Sequence, residues 1–303
     1  MKQTLILDSS QISTYGECPT LWKLTYQESL EPSIGEAKDA IAMGTLGHKW
    51  LEMFYFNRSQ GISISDSVKF ANTLDPDAID EADNHQYPLE LDKRKKVLKR
   101  LQEYWMTYSS NDYAPDYKCT YDVQIDAAGL PIDSTKKIPL IEQGFSYKLY
   151  EDKQFLFIIE GRIDFIGTHS GHQFFMDHKF QLRERKLYPK SIQFKNYALA
   201  TGLQMGIINY IRLHETVTPK TFQREPISFG GNELRQWAIE LIEDYYFPIA
   251  KSVRENKFRK ERSACPGKFG YQCQFTPLCE ESPQVAELIK IQNFKKKTPW
   301  TPW

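Results

Sequence analysis

The chain has 303 residues, in which 39 Lys and Arg balance 39 Asp and Glu, and 41% of the residues are hydrophobic. No apolar run approaches the roughly 20 residues that a membrane-spanning helix needs, so we expect none. The charged (26%) and aromatic (14%) fractions exclude a disordered chain. The neutral net charge excludes a protein that coats polyanions by bulk charge, but it is compatible with a local basic channel. The first residues are too short an apolar stretch for a signal peptide, so we expect a cytoplasmic protein, or one of the host cytoplasm if a phage encodes it.

The amino-terminal third is predicted to be helical. A serine-capped aromatic helix is expected over 9–30, a second helix over 36–57, and a charge-rich helical insertion over 60–110. The KRKK run at 93–96 favours a solvated helix face, with a DNA contact as the alternative.

The middle of the chain changes to strand patterns. Its segments alternate or run apolar between short turns, which indicates an antiparallel meander over 117–126, 140–149, 154–166 and 172–180. A helix (189–204), a strand (206–215) and a long helix (231–257) follow. This order predicts an α/β fold with a mixed central sheet flanked by helices.

We expect one domain, because no linker or repeat divides the chain. Its predicted parts are the amino-terminal helices (1–58), a helical insertion (59–116), the catalytic core (117–230), a carboxy-terminal helix with a cysteine cluster (231–282) and a tail (283–303).

The cysteines are unevenly distributed. Cys18 stands alone, whereas Cys265, Cys273 and Cys279 lie close together, and prolines accompany three of these four. The odd total of five favours a reducing compartment over a disulfide scaffold. Such loops hold thiolates in fixed directions, as soft metals require. The alternative is that they are small buried hydrophobes, and Cys119, in a strand pattern, is interpreted as structural.

An acidic pair and a lysine lie in two consecutive predicted strands. Asp177 and Lys179 are two residues apart and share a strand face. Asp164 lies near the end of the preceding strand, and a short hairpin can bring the two carboxylates together. Such oxygens suit Mg²⁺ or Mn²⁺, and a neighbouring lysine can orient water and stabilise charge on a phosphate. The alternative is an Asp–Lys pair on the solvent face of an edge strand.

Six motifs occur in an order that resembles the RecB-like branch of the PD-(D/E)XK nuclease superfamily. They are SQISTYGECPTLWKLTY, GTLGH, GRID, DHK, QFKNY and the late cysteine cluster, and they span positions 18 to 279. The resemblance implies a restriction-endonuclease-like core.

The same resemblance implies roles for particular residues. His48, Asp164 and Asp177 would hold Mg²⁺ or Mn²⁺, and Lys179 would orient water. Gln193 and Tyr197, one helical turn apart, would position the DNA strand.

Taken singly, these residues have ordinary interpretations. His48 could be a core or surface histidine, and Gln193 and Tyr197 could decorate a helix. Glu142, in LIEQGF, could be a supporting carboxylate or an ordinary strand residue.

The resemblance also implies a [4Fe–4S] cluster, as in AddB-type and CRISPR-adaptation exonucleases. Its ligands would be Cys18, Cys265, Cys273 and Cys279. The sequence departs from the usual C-x2-C-x5-C trio, because Gly270 stands where a cysteine is expected and Cys265 lies further upstream. Four thiolates could also hold Zn²⁺.

These features together predict a metal-dependent DNA nuclease, and the resemblance implies that it is an exonuclease of recombination, repair or phage DNA processing. It would bind single-stranded or duplex DNA ends without sequence preference, with Arg162, Lys195 and the KRKK run as candidate phosphate contacts. A helicase or a recombination protein is a candidate partner. The alternatives are a non-catalytic DNA-binding scaffold subunit and a structure-specific endonuclease.

Overall fold

A computed structural model describes residues 2–297, with gaps at 34–38, 75–89, 109–111, 114, 126–130, 183–189, 215 and 267–271. For 39–41, 117–125 and 131–137 only the backbone is described. Gly270, the tail from 298 onward, part of the predicted insertion and the Cys119 side chain therefore lie outside the described residues.

The amino-terminal half is mostly helical. Its elements are β1 (Gln3–Leu7), α1 (Ser9–Glu17), α2 (Pro19–Trp22), a π-helical turn (Lys23–Gln27), β2 (Leu30–Pro32), α3 (Asp39–Ser59), α4 (Ile64–Ala71) and α5 (Leu91–Tyr108). The single helix expected over 9–30 was wrong. Cys18 is extended (φ −158°) and Pro19 begins a new helix, because the residue before a proline disfavours the helical region.

The carboxy-terminal half contains most of the strands. They are β3 (Tyr117–Ile125), β4 (Pro131–Pro139), β5 (Ile141–Glu151), β6 (Phe155–His169), β7 (His172–Gln181), β8 (Met205–Arg212), β9 (Phe222–Ser228) and β10 (Phe294–Lys296). The helices are α6 (Ile192–Thr201), α7 (Gly231–Glu240), α8 (Phe247–Glu255), α9 (Thr276–Glu280) and α10 (Pro283–Asn293). A π-helical stretch, Leu241–Tyr246, joins α7 to α8, so the long helix predicted over 231–257 is confirmed.

The central sheet is mixed and flanked by helices, which confirms the predicted fold class. Its ladder runs β1-β6-β7-β8-β9, and β5 pairs with β6 as well. The β1–β6 and β7–β8 pairs are parallel, and the others are antiparallel. The expected meander was wrong at its first strand, because β3 pairs with β4 in a separate two-stranded sheet.

One edge of β6 is shared by two neighbouring strands, and the place where they part, at residues 160–164, is called the fork. β1 pairs with its first residues (155–159) and β7 with its last (165–169), while β5 follows the opposite edge. Residues 160–164 therefore face a gap between β1 and β7. The strand carbonyls at this gap need other partners, and the Tyr197 hydroxyl donates to the Arg162 carbonyl at 2.7 Å.

Separate apolar clusters cover the two faces of the sheet near the fork. On one face α3, α4 and α5 pack over Phe165, Met176 and Ile211. On the other face α6 packs over Phe175 and Ile208. A helix from each layer therefore reaches the fork.

Candidate metal centre and nuclease site

The first group of polar side chains at the fork consists of one imidazole and two carboxylates. His48 comes from α3, Glu142 from the start of β5 and Asp164 from β6, and their ligand atoms all lie within 4.8 Å of one another. His48 Nδ1 is 3.4 Å from Asp164 Oδ2 and 3.6 Å from Glu142 Oε1. Both carboxylates are about nine-tenths buried, whereas a third of the His48 side chain is exposed. The group is therefore open on one side.

The electrostatics of this group favour a cation. Burial alone would lower the pKa of His48, but Asp164 and Glu142 outweigh burial and raise the pKa to about 9. Burial raises the pKa of Asp164. The imidazolium thus helps to balance the negative charge of the two carboxylates where no metal ion is bound. Carboxylate oxygens with one imidazole are donors that Mg²⁺ and Mn²⁺ accept, so the side chains fit such an ion.

Glu142 has an unusual backbone. Its φ of 48° lies in the left-handed region, which costs a non-glycine residue of order 1–3 kcal/mol. The side chain is fixed by Arg162, whose Nε lies 2.9 Å from Glu142 Oε2. Sequence reasoning left this residue undecided, because a left-handed residue at a strand start carries no signal in a period-two pattern. The structure brings its carboxylate to His48 and Asp164.

The second group lies on β7 beyond the point where β6 and β7 separate. Lys179 Nζ is 2.7 Å from Asp177 Oδ2 and donates to Gln193 Oε1 at 3.1 Å. Burial raises the pKa of Asp177 to about 6, an effect that Lys179 partly offsets. The predicted shared face of Asp177 and Lys179 is present; Asp177 is buried, and the Lys179 side chain is 26% exposed. This excludes the alternative of a pair on the solvent face.

Helix α6 closes the second group. Gln193 Nε2 donates to Asp177 Oδ1 at 3.0 Å and lies 2.8 Å from the Tyr197 hydroxyl. Because Tyr197 in turn donates to the Arg162 carbonyl, the helix is bonded to both strands of the fork. The predicted spacing of one helical turn thus places both side chains on the site.

The two groups of side chains are neighbours in the fold but are separate sets of residues. Asp164 Oδ2 accepts the backbone N–H of His178 at 2.6 Å, which joins the β6 carboxylate to the strand that carries Asp177 and Lys179. The described ligand cluster contains Glu142 and does not include Asp177. The assignment of Asp177 as a metal ligand therefore stays a prediction.

The four other candidate ligands are thiols near the chain ends. Cys18 Sγ accepts the N–H of Glu261 at 3.5 Å, and the N–H of Cys273 donates to the Cys265 carbonyl at 2.8 Å. Burial raises the pKa of Cys273 and of Cys279, and the neighbouring thiols add to this effect.

No four-cysteine site is formed among the described residues. A Zn²⁺ ion with Zn–S bonds of about 2.3 Å requires sulfur atoms about 3.8 Å apart. No three thiols of the described chain lie within 4.8 Å of one another. Cys18 and Cys265 both contact the Glu261 backbone, but the four thiols are not arranged as a single-ion site.

A mixed sheet whose forked strands carry buried carboxylates and a lysine defines a nuclease-type core. The chain belongs to the PD-(D/E)XK nuclease superfamily, whose family model matches residues 9–280. Members of this superfamily typically use Mg²⁺ or Mn²⁺ and act on DNA.

Two solved structures are similar to the chain. One, from Eubacterium rectale, is described as a "Putative exonuclease"; it is 12% identical, the match covers 86% of this chain and 85% of that one, and the TM-score is 0.42. The other is SSO0001, also 12% identical, with 70% and 79% covered and a TM-score of 0.28. No curated protein matches. No described helix is long and apolar enough to cross a membrane.

Proposed function

We propose that the protein is a divalent-metal-dependent exonuclease that hydrolyses phosphodiester bonds at DNA ends. The observation that carries this proposal is the meeting of His48, Glu142 and Asp164 with the Asp177–Lys179 pair at one fork of the sheet. The RecB-like motifs support action at ends rather than within a strand.

The metal would be held by His48, Glu142 and Asp164, with Asp177 as a further candidate ligand. When bound, Mg²⁺ or Mn²⁺ supplies Lewis-acid stabilisation of the phosphate and lowers the pKa of a bound water. Arg162 holds Glu142 in place, and the His178 N–H holds Asp164.

Lys179 acts on the phosphate and on the attacking water. Burial lowers its pKa, but Asp177 and Asp164 outweigh burial and raise the pKa above its usual value, so the amine is positively charged at neutral pH. A fixed ammonium group in a water-poor site stabilises the negative charge that grows on the phosphate. Gln193 fixes the direction of the ammonium by accepting a hydrogen bond from it.

Arg162 and Lys195 are the proposed DNA contacts nearest the fork. The Arg162 side chain is 40% exposed although it is paired with Glu142. Lys195 lies over the ring of Trp237 at 4.3 Å, a position that holds its charge at the surface of α6. Such contacts bind the DNA backbone without reading its sequence. A helicase or a recombination protein that supplies DNA ends is the expected partner.

The test uses the purified full chain with Mn²⁺ on end-labelled linear DNA and on covalently closed circles. We expect linear single or double strands to be degraded, circles to survive, and EDTA to stop the reaction. Cleavage of the circles would identify an endonuclease. DNA binding without cleavage of either substrate, together with intact metal binding, would identify a scaffold subunit.

We also propose that Cys18, Cys265, Cys273 and Cys279 hold a structural [4Fe–4S] cluster. A cluster of several irons is wider than one ion and can be reached by thiols too far apart for Zn²⁺. The contact between the two chain ends that carry these cysteines supports it.

A further inference from the structure

A row of buried polar residues crosses three strands directly behind the fork. His178 on β7 is in register with Asn209 on β8, and Asn209 is in register with Arg224 on β9. They share the face that α3 and α5 cover, opposite to the face of Asp177 and Lys179. His178 and Asn209 are at most 2% exposed, and the Arg224 side chain is 10% exposed.

Hydrogen bonds connect this row from end to end. Arg224 Nη2 donates to Asp112 Oδ1 at 2.7 Å and to the Tyr104 hydroxyl at 2.6 Å. Asn209 Nδ2 donates to the same Tyr104 hydroxyl at 3.0 Å and faces His178 Nδ1 at 2.7 Å. The α5 hydroxyl is thus the central junction between the arginine and the histidine.

Burying these polar residues among apolar side chains costs free energy. It lies in a layer of aromatic rings that includes Tyr55, Trp105 and Phe222. A buried ion pair such as Arg224–Asp112 contributes little net stability, and apolar residues of similar volume often stabilise a protein equally well or better. Fold stability alone therefore does not account for these polar residues.

The row ends at a backbone group that touches the metal centre. The β6–β7 ladder stops at the Phe165–Met176 pair, and beyond it the His178 N–H donates to Asp164 Oδ2 instead of to a strand carbonyl. Where β6 and β7 have separated, the parallel β7–β8 ladder still holds the strand at His178, but no β6–β7 pair fixes the direction of that N–H. The imidazole of the same residue, held by Asn209, can fix it.

We propose that Tyr104, Asn209 and Arg224 are positioning residues that hold His178 in place, so that its N–H orients the Asp164 carboxylate for metal binding. This inference rests on the proposed metal site. Residues behind a metal ligand typically change metal affinity by about 10- to 100-fold when they are removed.

The main test compares two tyrosines of one helix. Tyr104→Phe removes the junction hydroxyl and keeps the ring. Tyr108→Phe is the matched control, because Tyr108 also packs on the Arg224 guanidinium (4.0 Å to the ring centroid), while its hydroxyl is not part of the hydrogen-bonded row in the described structure. Asn209→Leu removes the contact to His178 and replaces the amide by a side chain of similar branching but larger volume.

Two measurements are made without DNA: Mn²⁺ affinity by calorimetry, and amide hydrogen exchange at His178 by NMR in metal-free protein. We expect Tyr104→Phe and Asn209→Leu to weaken Mn²⁺ binding about tenfold or more and to speed exchange at His178. Tyr108→Phe should change neither, and circular dichroism should show all three variants folded.

Unchanged Mn²⁺ affinity in Tyr104→Phe would overturn the proposal, as would an equal loss in Tyr108→Phe. If the wild-type protein binds no Mn²⁺, the proposed metal site fails. In that case the exchange measurement still tests whether the row holds the His178 N–H. Unchanged exchange at His178 in Tyr104→Phe and Asn209→Leu would show that it does not.

Discussion

Lys179 is the residue whose position most narrowly defines its chemistry. Its ammonium is held between Asp177 Oδ2 and Gln193 Oε1, both within 3.1 Å. Both partners accept hydrogen bonds from the ammonium, and because the nearby carboxylates raise the pKa of Lys179 against the effect of burial, it stays charged at neutral pH. A lysine placed in this way is a fixed positive charge rather than a proton donor with a mobile side chain.

We therefore expect Lys179→Met to lower kcat for DNA cleavage by roughly 10²–10³-fold, the usual effect of removing one preorganised charge-stabilising group. DNA binding in Ca²⁺ should be nearly unchanged. The control is Lys148→Met, since Lys148 is exposed and paired with Glu151 at the far end of β5. Single-turnover kinetics would detect the change, and wild-type kcat in the Lys179 variant would remove Lys179 from the mechanism.

Glu142 is the carboxylate that the structure adds to the predicted ligand set. We expect Glu142→Gln to weaken Mn²⁺ binding at least about tenfold, because it removes a negative ligand and leaves Arg162 without its carboxylate partner. Glu151→Gln, at the other end of the same strand, should have no effect on metal binding. Calorimetry with Mn²⁺ measures both variants, and equal affinities would show that Glu142 only orders Arg162.

At the scale of elements, the position of helix α3 depends on the absence of a side chain at Gly47. A Cβ at Gly47 would lie 2.3 Å from the Phe180 ring of β7, whereas a Cβ at Gly44 would meet no described atom within 4 Å. Gly47 immediately precedes His48, so the close contact of helix and strand sets the depth at which the imidazole reaches the fork.

Gly47→Ala should therefore move α3 outward, cost about 1–3 kcal/mol of the free energy of unfolding, and weaken Mn²⁺ binding. Gly44→Ala, in the same helix, should stabilise it by about 0.5–1 kcal/mol and leave metal binding unchanged. Chemical denaturation and calorimetry would measure both effects. Similar stability and affinity in the two variants would mean that the Phe180 ring yields without moving the helix.

Local patterns predicted the elements that carry a strong period. Strands β5 to β8, helix α6 and the long α7–α8 helix all lie close to their predicted positions, because alternation and helical spacing are properties of neighbouring residues. From them followed the shared face of Asp177 and Lys179, whereas the assignment of Gln193 and Tyr197 to the same site came from the resemblance to RecB-like nucleases.

The remaining structure depends on pairing between distant strands. Strand β9 (FQREPIS) was missed because its polar residues and Pro226 weaken the pattern, and proline is tolerated there only because β9 is the edge strand. Strand β1 is five residues long and forms one arm of the fork. Without β1 and β9, neither the fork nor the row through Asn209 and Arg224 could be derived from the sequence.

At the scale of the whole molecule, the two ends of the described chain are joined. Strand β2 pairs with β10, and Trp22 stacks on Phe258 with ring centroids 6.1 Å apart. The Thr20 N–H donates to the Arg259 carbonyl at 3.2 Å, and Lys290 pairs with Glu28 at 2.8 Å. The proposed cluster would thus lock a contact that already exists, rather than bring distant segments together.

Cys18 is the only proposed cluster ligand from the amino-terminal segment. Anaerobically purified wild-type protein should be brown and carry roughly four irons per chain, as the proposed cluster requires. Cys18→Ser should lose iron, lower the Tm and expose the segment around α2 to proteolysis, because metal binding to the folded state is coupled to its stability.

Cys119→Ser is the matched control and should keep both iron and Tm. Colourless protein with one zinc per chain would show that the site holds a single ion and not a cluster. The sulfur atoms would then have to approach to about 3.8 Å from one another. A Cys18→Ser variant with wild-type Tm and iron content would contradict the shared site. In that case the Trp22–Phe258 stack and the β2–β10 pair alone would hold the ends together, and Cys18 would be a small buried hydrophobe at the start of α2.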